Sequence, residues 1–124
     1  MREKTIIDKM YLKNAKSLAV FNGAVHAAIV AQLPADLIEA GESDAEVVLL
    51  FILKQAELEK YLPEALARLG EKGSLWVAFL KQSAPKATDV TRDWVEAYAK
   101  EHGATSVALI SVDSDWSALR FKLL

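Results

Sequence analysis

The chain has 124 residues, 52% of them hydrophobic, a net charge of −2 and no cysteine. That length suits one domain with a real core, and that apolar content excludes a disordered chain. The near-neutral balance lacks the basic excess that holds nucleic acid or an anionic membrane surface, and the missing cysteines exclude disulfides, thiolate metal sites and cysteine nucleophiles.

Residues 1–14 are charged and weakly amphipathic and read as an N-terminal arm, with a single α/β domain over 15–124. No apolar run follows Met1–Lys4, so no signal peptide is expected, and the cysteine-free composition fits the cytoplasm. Ser17–Phe21 reads as a first strand ending at the Asn22-Gly23 turn. Ala24–Gln32 follows as a short helix stopped before Pro34, and Asp36–Ala40 as a brief second strand.

Val47–Leu53 is continuously apolar, as in a strand covered on both faces. Its length is far short of the roughly 20 residues of a membrane span. In Gln55–Leu69 the residues Leu58, Leu62, Ala65, Leu66 and Leu69 recur at helical spacing, and Pro63 predicts a kink or a break. Gly70–Gly73 stops that helix, and Ser74–Leu80 is a second apolar strand. Thr88 is the expected N-cap of a helix running to about Glu101, with Val90, Trp94, Val95 and Tyr98 inward and Gly103 as its stop. Ser106–Val112 and Leu119–Leu124 close the chain. Their connection, with Asp113–Asp115 as its turn, is too short for a crossover, so this pair must be antiparallel.

Strands alternating with helices make βαβ units. The expected fold is α/β: a three-layer α/β/α Rossmann-like sandwich, with a mainly parallel sheet and an antiparallel C-terminal hairpin.

Such a fold binds ligands outside the carboxyl ends of its strands. Residues falling there are Asn22 and Gly23 after the first strand, Lys54 and Lys81 after the two central strands, and Asp89 at a helix start. The glycine turn with Glu39 downstream is a fragment of a dinucleotide fingerprint, although no G-x-G-x-x-G is present. Lys81 and Lys86 beside helix amides suit a small anion. Asp113 and Asp115 suit a polar turn, with Trp116 packing over the sheet edge and expected to be partly exposed. His26 and His102 show no ligand spacing, and no cofactor or metal is implied.

Three stretches carry a resemblance: Leu66–Lys81 (LARLGEKGSLWVAFLK), Lys86–Val95 (KATDVTRDWV) and Val112–Lys122 (VDSDWSALRFK). They resemble a family of small bacterial proteins of unknown function, the DUF3052-like group, from about Ser17 onward. The family's Pro-Lys pair is Leu80-Lys81 in this sequence. A looser architectural resemblance is to the C-terminal half of class I methyltransferases.

Three functions follow. The first is a non-catalytic protein that binds a partner, a second copy of itself through a C-terminal edge strand at Leu119–Leu124, or a small ligand. The second is a degenerate nucleotide or S-adenosylmethionine binder. The third is a small hydrolase or transferase using Lys81 with Asp89 or Asp113.

Overall fold

The computed structural model describes residues 17–33, 45–82 and 89–123. The expected arm at 1–14, the short strand at Asp36–Ala40, and Glu39, Lys86 and Thr88 lie outside those residues. Five strands form one sheet: β1 (Leu18–Phe21), β2 (Ala45–Phe51), β3 (Leu69–Leu80), β4 (Ala104–Ser111) and β5 (Trp116–Leu123). Their spatial order is β1-β2-β3-β5-β4. The first three are parallel neighbours, while β5 runs antiparallel to both β3 and β4. The helical segments are a 3₁₀ turn at Gly23–His26 continuing into α1 (Ala27–Val30), then α2 (Gln55–Arg68) and α3 (Arg92–Glu101).

Each sheet face builds its own core. On one face Val48, Leu50, Leu75, Val77, Leu119 and Phe121 pack against Leu58, Leu62 and Ala65 of α2 and Val95 and Ala99 of α3. On the other, Leu49, Phe51, Trp76, Ala78 and Trp116 pack with Ile29 and Leu33, at and after α1. Strands buried on both faces need continuous apolar runs, which is why β2 and the second half of β3 stand out in the sequence. The fold is the expected Rossmann-like α/β arrangement. Among the described residues no helix is long and apolar enough to cross a membrane.

Four expectations need correction. Leu119–Leu124 is not an edge: β5 sits between β3 and β4, its Leu119 and Phe121 buried, and β4 is the outer strand. A hairpin's sequence says that two strands pair, but not which of them turns inward. Gly70–Gly73 does not end α2 in a free turn. It lies within β3, where pairing with β2 jumps from Ala45↔Leu69 to Val47↔Ser74 and the intervening residues form an irregular bulge. Pro63 does not break α2, which runs through it. The carbonyl four residues before it, at Glu59, loses its amide partner, but both residues are exposed, so the carbonyl is open to solvent. Finally, the cap of α3 is Thr91, whose Oγ1 accepts from Trp94 N at 3.2 Å. Val90 is buried just ahead of that helix.

Candidate functional site

Parallel pairing of β1 to β3, and two antiparallel steps through β5, bring the carboxyl ends of β1, β2, β3 and β4 to one edge of the sheet. The connections after these four strands meet there and form two hydrogen-bonded clusters.

The first cluster joins β1 to β2 and α2. Asn22 adopts a left-handed backbone, with φ 58° and ψ 32°. Asparagine tolerates that conformation because its short amide bonds locally. Its Nδ2 donates to the Phe51 carbonyl at 2.9 Å and to Glu57 Oε2 at 2.7 Å. Glu57 Oε1 accepts from Leu53 N at 2.5 Å and from Lys54 N at 3.0 Å. One carboxylate in the first turn of α2, where negative charge complements the helix dipole, thus gathers the β1 turn and the β2–α2 loop. Lys54 is the exposed N-cap residue of α2. Asp89 lies over the same helix start: its Oδ1 accepts from Gln55 N at 3.1 Å, and its carbonyl from Gln55 Nε2 at 2.8 Å.

Gly23 is closely packed within this turn. A Cβ there would lie 3.0 Å from Val20 Cγ1 and 3.1 Å from Val30 Cγ2. The absent side chain lets the helical turn close down on its own strand, which is one of the roles glycine takes in such βα turns.

The second cluster joins the β4–β5 hairpin to β1 and β3. Asp113 Oδ1 accepts from the amides of Asp115 at 2.9 Å and Trp116 at 2.8 Å, the Asx-type turn expected from sequence. Its Oδ2 lies 2.8 Å from His26 Nε2. The carboxylate only accepts, so that ring nitrogen carries the proton. The imidazole tilts over Trp116 with ring centroids 5.1 Å apart and meets Phe51 edge-on at 6.2 Å. Trp116 is therefore buried, at 7% exposure, instead of partly exposed. Lys81 Nζ donates to Ser111 Oγ at 2.7 Å and to the Asp113 carbonyl at 2.8 Å, while its amide donates to the Asp115 carbonyl at 2.7 Å. Partial burial alone would raise the Asp113 pKa. The His26 hydrogen bond, the backbone amides of Asp115 and Trp116 and the electrostatic attraction of His26 outweigh it and hold the carboxyl below its ordinary value.

The structure thus brings Asn22, Gly23, Lys54, Lys81 and Asp89 to one edge of the sheet, but in separate bonding networks. Lys81 meets Asp113 through a main-chain oxygen, the carboxylate being turned to His26, and Asp89 is bonded to Gln55. An imidazole oriented by a carboxylate has the form of a general base. Among the described residues no three potential ligand side chains cluster for a metal. Sequence reading missed Glu57, although an acidic residue three positions after a helix N-cap is a usable signal. It also missed the His26–Asp113 pair. Those residues are 87 apart, and no spacing rule links them.

Parallel strands closed by an antiparallel strand inserted before the edge define a Rossmann-like α/β fold, similar to that of solved methyltransferases. Solved structures agree. The mitomycin 7-O-methyltransferase MmcR superposes with a TM-score of 0.68 at 10% identity, over 91% of this chain and 50% of that one. The CcbJ methyltransferase from Streptomyces caelestis gives 0.62 at 11% identity, over 94% and 92%. LepI in complex with SAM gives 0.57 at 14% identity, over 95% and 46%. The chain spans about half the length of MmcR and of LepI. At these identities the likeness is one of fold alone. Residues 20–123 match the family described as "Protein of unknown function (DUF3052)", and the chain belongs to that family. No curated protein matches the sequence.

Proposed function

We propose that this protein is a binding module on a methyltransferase-type scaffold, without catalytic activity, and that it seats no S-adenosylmethionine or dinucleotide between β1 and β2. The observation that supports this reading is the Asn22 side chain. It crosses from the β1 turn to the Phe51 carbonyl and to Glu57, bridging the crevice that nucleotide-binding α/β proteins leave open. A cofactor entering there would have to displace both bonds. Gly23 supports it as well, since its missing Cβ is filled by the protein's own Val20 and Val30.

Thermal unfolding in millimolar S-adenosylmethionine, adenosine triphosphate and nicotinamide adenine dinucleotide tests the proposal. Any ligand that binds the native state raises the midpoint by mass action. The expected result is no shift with any of the three, and a saturable rise with one of them overturns the reading. The second reading, a degenerate nucleotide or S-adenosylmethionine binder, draws on the fold shared with structures such as LepI in complex with SAM. It predicts that rise.

A further inference from the structure

Resting on the crevice reading above, we infer that Asn22-Gly23 is a self-modification site. The Asn22 bridge guards the pair from deamidation, and once the crevice opens that reaction keeps it open. The chain has two asparagines, Asn14 and Asn22, and Asn22 alone precedes a glycine. Glycine puts no side chain in the way of its own amide nitrogen, so that nitrogen can attack the side-chain carbonyl of the asparagine before it. The Gly23 nitrogen loses its proton and bonds to Asn22 Cγ. The Cγ–Nδ2 bond breaks, and ammonia leaves with that proton. Water then opens the ring so formed. Breaking the ring nitrogen's bond to Cγ gives aspartate, and breaking its bond to the main-chain carbonyl carbon gives isoaspartate. The nitrogen regains a proton either way, so water is consumed and ammonia released.

The folded turn opposes the first step in three ways. At ψ 32° the Gly23 nitrogen lies nearly opposite Cβ about the Cα–C bond of Asn22, away from Cγ. Ring closure needs that torsion swung round until the two are almost eclipsed. The leaving nitrogen, Nδ2, is tied to the Phe51 carbonyl at 2.9 Å and to Glu57 Oε2 at 2.7 Å. Gly23 is packed against Val20 and Val30, so the swing requires the turn to lift off its strand.

The product cannot remake the bridge. Both oxygens of an aspartate at this position only accept. They face the Phe51 carbonyl and the Glu57 carboxylate, which also only accept, so two bonds give way to repulsion between like charges. Isoaspartate also lengthens the main chain and displaces Gly23 from its seat. Asn22 is partly exposed, so water reaches the ring once it forms. Opening thereby becomes a one-way conversion.

The test is peptide mass spectrometry of the full chain held at mildly alkaline pH. Its arms are folded wild type, wild type unfolded in guanidinium chloride, and Glu57→Ala and the milder Glu57→Gln, each shown folded by circular dichroism. Conversion at Asn22 should be fastest in the unfolded chain and at least about tenfold slower in folded wild type, with the folded Glu57 variants between, because a guarded reaction follows the population of the opened state. Folded wild type converting as fast as the unfolded chain overturns the inference, as do folded Glu57 variants that convert no faster than wild type. Asn22→Asp reads the one-way step: its unfolding midpoint falls, and adding Glu57→Gln, whose amide can donate to the new carboxylate, restores part of the loss. A midpoint equal to wild type, or a double variant without recovery, overturns that step. Nucleotide stabilisation of the wild type, measured separately, would overturn the binding reading while leaving the conversion rates standing.

Discussion

Replacing Glu57 with alanine should destabilise the fold by about 3 kcal/mol, because it removes the acceptor of three donors at once. Asn22 Nδ2, Leu53 N and Lys54 N all point at its two oxygens, at 2.7, 2.5 and 3.0 Å. Each such bond contributes about 1 kcal/mol net of exchange with water, at a helix start or to a charged acceptor. The three are partly buried or lie against a helix N-terminus, so screening does not erase them. For a chain of this size the midpoint of thermal unfolding should fall by about 10 °C. Urea denaturation reads the free energy directly: the midpoint concentration falls while the slope stays constant. Glu57→Gln keeps one acceptor oxygen and should recover about half of the loss. A loss of less than about 0.5 kcal/mol for Glu57→Ala, the ordinary range of a surface change, would show that the carboxylate does not hold these loops together.

Two further outcomes follow. Asp113 titrates below its ordinary value when folded, so its contribution is present above about pH 4 and is lost as pH falls through the depressed folded pKa. Unfolding midpoints measured from about pH 5 down to about pH 2.5 should therefore drop more steeply for the wild type than for Asp113→Asn, and parallel curves would refute the assignment. Gly73→Ala should cost about 2 kcal/mol by chemical denaturation, since the new Cβ would meet Leu69 Cδ1 at 2.7 Å and the Glu46 carbonyl at 2.8 Å, and a backbone oxygen cannot rotate away. A neutral result would mean that the bulge at the start of β3 relaxes freely.

Much of the fold was legible in the sequence because burial on both sheet faces leaves a local mark. The apolar runs at Val47–Leu53 and Ser74–Leu80 became β2 and the core of β3, displaced by only a few residues. The turn between the last two strands was too short for anything but an antiparallel pair, and they are one. What stayed hidden was set by distance along the chain. Nothing local in Trp116–Leu123 says that it inserts beside β3, because β4 is nearly as apolar. The choice lies in side chains such as Leu119 and Phe121 meeting Val77 and Leu75 across the sheet. Thr88 and Thr91 are equally good caps by composition, and Val90, buried ahead of the helix, marks the chain as still extended there. The candidate site was legible as a place, the carboxyl edge, but not as a set of bonds. Asn22 meets Glu57 across 35 residues and His26 meets Asp113 across 87, so only the folded chain brings them together.

The inserted position of β5 also bears on the order of assembly. Among the described residues β4 joins the sheet through β5, which is made after it. While the chain is being synthesised, β1, β2 and β3 can pair in sequence, but β4 has no strand to join until the residues beyond it arrive. The two outer strands on this side of the sheet therefore form in one late step, with β4 and β5 docking together as a hairpin. Until then β3 is an open edge bearing Trp76 and Val77. The interval between completing β3 and completing β5 is when this chain is most exposed to pairing with the wrong neighbour.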